Sequence, residues 1–189
     1  MILEKNIIRK IENLHAGFAE AIHKDFTDAM GVVIDSEIAF VDQTTLAEFI
    51  MSLKNPCLSY TFDLEGMSER VIISYSNPVS HALIGKALGQ KPDGAFTKEQ
   101  RDTMTEVFSR NLKDLVSAWE PIQKFEAHNA ELETQPEALQ QESAPSSTVL
   151  LIALEINGPD FSGLMEISYF NDAIQPFSAA FAASKAPGQ

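Results

Sequence analysis

The first long hydrophobic pattern of the chain runs from Ile7 to Met30. Seven apolar residues recur there at spacings of three or four positions: Ile7, Ile11, Leu14, Phe18, Ile22, Phe26 and Met30. This spacing puts them on one stripe of a helix with about 3.6 residues per turn. Gly31 predicts where that helix ends, because glycine takes the left-handed backbone conformation without steric cost.

Shorter elements are predicted for the rest of the first half. Strands are expected over 32–41, 57–64 and 70–76, and the turn at 65–68 favours a hairpin between the second and third of them. A short helix is expected over 45–53, with Thr44 or Thr45 as its cap. Asn77 as cap and Pro78 in the first turn predict another helix that runs to about 88.

The same order of elements repeats after residue 94. Thr97 and Gln100 have capping-box spacing, and they precede a second apolar stripe that predicts a long helix. Its members are Met104, Val107, Phe108, Leu112, Leu115 and Trp119. Extended chain near 122–130, a weakly helical stretch over 136–141, strands over 148–156 and 164–170, and a helix over 171–183 complete the second half.

The two halves also match locally, because Ser-Tyr-Ser-Asn at 74–77 and Ser-Tyr-Phe-Asn at 168–171 each close the last strand of a half. We therefore predict an α+β fold in which a helix-strand-helix-strand-strand-helix unit is duplicated about a pseudo-two-fold axis. Its long helices pack together on a shared sheet. A single domain over 1–183 would contain pseudo-repeats 1–89 and 95–183. The polar stretch 131–147 predicts a mobile loop, and 184–189 predicts a tail or linker.

Composition narrows the function classes. The chain carries 14 Lys and Arg against 27 Asp and Glu, a formal charge of −13, which argues against binding to nucleic acid. No apolar run approaches the ~20 residues needed to cross a bilayer, so we expect no membrane insertion. The single cysteine, Cys57, is predicted to be a buried thiol in a strand, as suits a reducing cytoplasm.

Candidate catalytic and metal-binding residues are sparse. The four histidines, His15, His23, His81 and His128, form no ligand cluster in the sequence, so no metal site is predicted. His15 and His23 lie two helical turns apart and are expected to be solvated, with a shared partner surface as the alternative. No phosphate-binding loop and no nucleophile elbow is present, and we expect no cofactor.

Carboxylates and one loop are the remaining candidates. Glu99, Asp102 and Glu106 fall on one side of the second long helix, where a solvated face is favoured over general acid–base chemistry. The loop between the two halves consists of Gly89, Gln90, Lys91, Pro92, Asp93 and Gly94. It is either a connector or an exposed binding loop, because loops on a rigid scaffold often carry contacts.

Several motifs resemble the middle domain of the FliM family, within the wider group that includes CheC, CheX and FliY. Phe96-Thr97-Lys98-Glu99-Gln100-Arg101, followed by Ala118-Trp119, looks like the family's "FT-x-x-EQR" helix and its "AW" ending. The runs at 149–156, 163–167 and 174–176 resemble that domain's closing hairpin and the helix start that follows it. The likeness covers nearly the whole chain.

This resemblance implies a non-enzymatic structural and switching module of the flagellar motor switch, the C-ring. In that role it would link the rotor protein FliG to the ring, pack beside neighbouring copies of itself, and lie in the cytoplasm, peripheral to the inner membrane at the flagellar basal body. CheY and FliN are further candidate partners. FliM normally has a CheY-binding peptide before this domain and a FliN-associating domain after it, and neither is visible here. The sequence is therefore expected to be either an excised domain or a reduced homologue.

The resemblance also bears on the binding loop. In FliM a "GGxGG"-like run between the halves contributes to the contact with FliG, and here only Gly89 and Gly94 match it. We nevertheless expect residues 89–94 to carry the partner contact.

The phosphatase relatives supply an alternative from another class. In them each long helix carries a Glu followed three residues later by an Asn, and the pair directs water onto the aspartyl phosphate of CheY. Asn13 resembles that Asn, but the position three residues before it holds Lys10 and not a Glu. Glu106 resembles that Glu, but the position three residues after it holds Ser109 and not an Asn. We expect these half-sites to be degenerate and the chain not to be an enzyme. The alternatives are a CheC-type phosphatase, or a protein that binds phosphorylated CheY without catalysis.

Overall fold

The computed structural model of the chain describes residues 2–184. These residues contain six α-helices and six strands. The helices are α1 (Lys5–Met30), α2 (Leu46–Ser52), α3 (Asn77–Leu88), α4 (Lys98–Trp119), α5 (Asn171–Ile174) and α6 (Ser178–Ala183). The strands are β1 (Asp35–Thr45), β2 (Leu58–Leu64), β3 (Val71–Tyr75), β4 (Ala127–Glu133), β5 (Thr148–Asn157) and β6 (Ser162–Phe170). Short 3-10 helices lie at Pro136–Gln141 and Gln175–Phe177.

The strands form one sheet in the order β1-β5-β6-β3-β2-β4, and every neighbouring pair is antiparallel. Reversing this order exchanges β1 with β4, β5 with β2 and β6 with β3, so each strand of one half takes the place of its counterpart in the other. The first strand of each half pairs with the second strand of the other half. The predicted duplicated α+β fold is thus confirmed, and the two halves share their sheet by exchange of strands.

The helices divide between the two faces of the sheet. On one face α1, α3, α4 and α6 bury their apolar stripes in the larger core, with Phe18, Phe108 and Trp119 at most 2% exposed. On the other face α2 and the 3-10 helix Pro136–Gln141 cover a smaller core. The two long helices run antiparallel, because His15 in the first half of α1 contacts Trp119 at the end of α4, whereas Asp25 farther along α1 contacts Asn111, which precedes Trp119.

Helix boundaries follow local capping chemistry. Gly31 closes α1 at φ 71° as predicted, and both Thr45 and Thr97 form capping boxes with the residue three positions on. The cap of α3 was predicted wrongly: Ser76 occupies that position and Asn77 is the first helical residue. The Ser76 hydroxyl accepts a hydrogen bond from the Leu164 N–H at 3.0 Å and so joins the helix start to β6.

Three other predicted elements differ in the structure. β1 begins at Asp35 instead of residue 32, because Ile34 is held under α1 by bonds to Thr27 and His23. The single helix predicted over 171–183 is divided by a 3-10 turn at Pro176, whose ring nitrogen has no N–H to donate. The stretch 131–147 is not an open loop, since it contains the end of β4 and a 3-10 helix with Leu139 fully buried.

Buried polar groups connect the two halves at equivalent places. Tyr169, near the end of β6, lies 2.7 Å from His15 Nε2 on α1 through its hydroxyl, which also accepts from Trp119 Nε1 at 3.0 Å. Tyr75, at the end of β3, donates to Asn111 Oδ1 on α4 at 2.6 Å. Each strand-end tyrosine therefore bonds to the long helix of the other half.

The expectation that His15 is solvated is wrong, since its side chain is fully buried. Burial lowers its pKa from 6.5 to about 4, against a smaller raising effect of the Ile11 carbonyl. His23 is exposed, as expected. Cys57 is a buried free thiol immediately before β2, and burial raises its pKa. The predicted tail at 184–189 lies, apart from Ser184, outside the described residues.

Candidate functional site

The loop over 89–94 joins α3 to α4 and has a defined conformation. Gly89 ends α3 at φ 77°, with its N–H bonded to the Gly85 carbonyl at 2.9 Å, and Gly94 has φ 84°. Both values lie in the left-handed region that favours glycine. Pro92 is buried between them, whereas Gln90, Lys91 and Asp93 are exposed. The loop thus presents three polar side chains on an anchored backbone.

A groove of about 320 Å³ lies beside this loop. Met30 from the end of α1, Ala82 from α3 and Phe161 from the β5–β6 turn give it an apolar lining. Lys86 and Lys91 add two positive charges to its lining, and Asp160 adds one negative charge. A groove with an apolar lining and a net positive charge suits a partner segment that carries both an apolar and an acidic side chain.

Lys91 affects its surroundings through its charge and through the packing of its stem. Partial burial, assisted by the nearby charge of Lys91, lowers the pKa of His81. The aliphatic part of Lys91 lies over Gly85, because a Cβ added to that glycine would be 3.0 Å from Lys91 Cγ. Packing along its stem therefore sets the position of Lys91, which also lines the groove.

Sequence reasoning found the loop but missed the groove. Met30 was assigned only to the stripe of α1, and Asp160 and Phe161 were not singled out. These residues are separated from the loop by about sixty or more positions, and only the sheet brings the β5–β6 turn beside α3. The one local signal was the Gly158-Pro159 pair, which marks an exposed turn.

The two phosphatase-like positions lie far apart. Asn13 is exposed and borders a second groove, of about 350 Å³, with Lys10, Gly17 and Ser117 among its lining residues. Glu106 is exposed on α4, eleven residues before Ser117, which corresponds to roughly 16 Å along a helix. The structure does not bring Asn13 and Glu106 together.

Their immediate neighbours are engaged elsewhere. Lys10 donates from Nζ to the carbonyls of Ala182 and Ser184, at 3.1 and 2.7 Å. Ser109 donates its hydroxyl to the Thr105 carbonyl at 2.8 Å, one turn back on the same helix. Neither position thus presents a carboxylate and an amide side by side.

The other acidic candidates are surface groups. Glu99, Asp102 and Glu106 are exposed, and Asp102 pairs with Lys98 at 2.7 Å, as expected for a solvated helix face. The structure also brings together Glu65, Glu126 and His128, which the sequence analysis did not group. Their ligand atoms lie within 4.8 Å of one another and all three residues are exposed. These contacts are ion pairs when His128 is protonated.

No helix among residues 2–184 combines the length and the apolar character that crossing a bilayer requires.

Comparison with known proteins places the chain in a family. FliM of Bacillus subtilis is 24% identical over 178 residues, which make up 91% of this chain and 53% of that protein. FliM of Borreliella burgdorferi is 22% identical over a similar span. The chain spans about half the length of the curated relatives that it matches.

Solved structures show the same fold. The crystal structure of a FliM–SpeE complex from H. pylori matches 96% of this chain and 97% of its own, with a TM-score of 0.89 and 19% identity. A FliG–FliM complex from the same organism matches 94% and 100%, with a TM-score of 0.85 and 20% identity. FliY of Thermotoga maritima matches with a TM-score of 0.80 at 8% identity. The family model for flagellar motor switch protein FliM spans residues 4–184, and the chain therefore belongs to the FliM family.

Proposed function

We propose that this chain is a non-enzymatic structural and switching module of the flagellar motor switch, which links the rotor protein FliG to the C-ring in motility and chemotaxis. The observation that carries the proposal is the FliM family match over residues 4–184. The fold is also that of a FliM chain solved in complex with FliG. In this role the protein lies on the cytoplasmic side of the inner membrane at the flagellar basal body, beside neighbouring copies of itself. Residues 1–183 act there as one domain.

We assign the FliG contact to residues 89–94. Three features support this: the backbone is anchored by buried Pro92, the polar side chains of Lys91 and Asp93 are exposed, and an apolar groove adjoins them. Only two glycines of the family's loop remain, so the exposed polar groups between them supply the specificity.

A titration against the middle region of FliG from the same organism tests both statements. The double variant Lys91→Ala/Asp93→Ala is expected to weaken binding about tenfold, equivalent to ~1.4 kcal/mol, while the fold is retained. The matched control is Lys54→Ala/Asp172→Ala. These exposed residues are chain neighbours of Leu53 and Ala173, which belong to the smaller core on the other face of the sheet. Unchanged affinity in the loop variant would refute the loop assignment. Absence of FliG binding by the unaltered chain would refute the switch function.

We further propose that the chain does not hydrolyse the phosphate of CheY. Positioning a water for attack needs the acid and the amide together, and at each half-site one of the two is replaced, by Lys10 or by Ser109. Loss of CheY phosphate is followed in a parallel sample with and without the chain. An accelerated loss would transfer the protein to the phosphatase class, whereas saturable CheY binding without acceleration would identify a non-catalytic binder.

A further inference from the structure

A pair of carboxyl groups lies between the two long helices. Asp25 near the end of α1 bonds to Asn111 of α4, and Asp114 follows Asn111 by three residues on the same side of α4. The Asp25 carboxyl interacts with that of Asp114, and both residues are partly buried. Asp25 Oδ2 accepts from Asn111 Nδ2 at 3.3 Å. Asp114 Oδ2 is buried and has no hydrogen-bond partner among the described residues.

The hydrogen bonds around this pair have only one direction available. The Tyr75 hydroxyl donates to Asn111 Oδ1, which leaves the Asn111 amide N–H groups as donors toward Asp25. An ionised carboxylate can only accept, so two ionised carboxylates cannot bond to each other. One proton on Asp114 turns that side chain into a donor to Asp25 and gives its buried oxygen a hydrogen bond to make.

We propose that Asp25 and Asp114 form a proton-sharing latch that holds α1 against α4 and loosens as pH rises to neutrality. Met30 lies five residues beyond Asp25 on the same helix, roughly 8 Å along its axis, and lines the groove beside residues 89–94. The latch therefore lies on the helix whose last residue lines that groove. The inference rests on contacts inside the chain and stands independently of the proposed function.

The charges that face the pair are consistent with a shared proton. Partial burial, together with the hydrogen bond and the charge of Asp25, raises the pKa of Asp114 to about 7, whereas Lys24 opposes the shift. Tyr75 reaches the pair from the sheet below, and burial raises its pKa well above 10, so it remains a neutral donor. Asn111 does not titrate. Asp114 is thus the group whose protonation changes near neutral pH.

The sign of the effect follows from linkage. Asp114 binds its proton more tightly in the folded chain than in the unfolded chain, where its pKa is the ordinary 3.8. Its contribution to stability is therefore complete below that value and is lost as pH rises toward about 7.

Carboxyl-carbon NMR of the chain across pH 4 to 9 tests the latch directly. We expect the Asp114 resonance to titrate near pH 7 and the Met30 methyl resonance to shift with the same midpoint. Titration of Asp114 below pH 5 would overturn the proposal. A Met30 methyl that does not move while Asp114 titrates would overturn the connection to the groove.

Urea unfolding across pH 5.5 to 8 supplies a second readout. The amide introduced by Asp114→Asn donates to Asp25 and does not titrate. The urea midpoint of the unaltered chain should therefore fall relative to that of this variant as pH rises. Asp28→Asn, which neutralises an exposed acid on α1, is the control and should run parallel to the unaltered chain. Equal pH slopes for Asp114→Asn and the unaltered chain would refute the latch. If Asp114→Asn does not fold, the NMR titration still decides.

Discussion

The hydroxyl of Tyr169 offers the sharpest test of how the two halves are held together. It bonds to His15 on α1 and to Trp119 on α4, and all three side chains are fully buried. Because Trp119 Nε1 can only donate, the Tyr169 oxygen accepts that bond and its own hydrogen is directed to His15 Nε2. His15 then keeps its remaining proton on Nδ1, which faces the Ile11 carbonyl at 2.7 Å.

Tyr169→Phe removes the only described partner of both the Trp119 N–H and His15 Nε2. Leaving a buried polar group unpaired costs about 1–3 kcal/mol. Two such groups give an expected loss of about 3 kcal/mol in the free energy of unfolding. A domain of ordinary stability, about 5–15 kcal/mol, stays folded after a loss of this size. The assay is urea unfolding at pH 7.5, followed by the fluorescence of Trp119 as the single tryptophan and by circular dichroism.

The matched control is Tyr60→Phe. Its hydroxyl bonds at 3.1 Å to Thr105, an exposed residue on α4, so the orphaned group can turn to water and the expected loss is about 1 kcal/mol. A second check is His15→Leu combined with Tyr169→Phe, which should cost less than the sum of the single changes because fewer groups are left unpaired. The reasoning fails if Tyr169→Phe costs no more than Tyr60→Phe.

Three further predictions concern His15 and two glycines. Neutral His15 contributes stability that is complete above pH 6.5 and is lost as pH falls toward its folded pKa of about 4. The difference in free energy of unfolding between the unaltered chain and His15→Leu should therefore shift by roughly 2 kcal/mol in favour of the variant from pH 7.5 to pH 5, as measured by urea unfolding. A Cβ at Gly163 would lie 2.5 Å from Ser76 Oγ and 2.8 Å from Val79 Cγ2, so Gly163→Ala should cost about 1–3 kcal/mol by thermal unfolding. Gly17→Ala, with open space around it on α1, should be neutral or stabilising by up to ~1 kcal/mol; equal effects of the two changes would contradict the packing argument.

Much of the fold could be predicted because its signals are local. The helical stripe of α1, the capping box at Thr97 and the repeated Ser-Tyr pair each depend on residues close in sequence, and together they indicate a duplicated unit. The exchange of first strands between the halves has no such signal, since β1 and β5 are more than a hundred positions apart. The polarity of residues 42–45 also hid the end of β1, which pairs with β5 through its backbone.

The polar residues show where pattern reasoning could have gone further. His15 lies four residues after Ile11 and three before Phe18, so the same stripe that predicted the helix placed His15 on its buried face. Asp25, next to Phe26, gives a weaker signal of the same kind. Its approach to Asp114 depends on how two antiparallel helices align, and periodicity within one helix carries no information about that alignment.

The duplication supplies each half with a strand-end tyrosine, but the titratable groups that the two tyrosines connect to respond to pH in opposite directions. Tyr169 bonds to a histidine that must stay neutral, whereas Tyr75 leads through Asn111 to a carboxyl pair that requires a proton. Between pH 4 and 7 acidification therefore weakens the first connection and strengthens the second. The unaltered chain can thus show a shallow pH profile that conceals two steep and opposing contributions. Removing one of them exposes the other: Asp114→Asn makes the chain acid-sensitive, and His15→Leu makes it more stable as pH falls. A shallow profile in both variants would mean that the protonation of neither His15 nor Asp114 is coupled to folding.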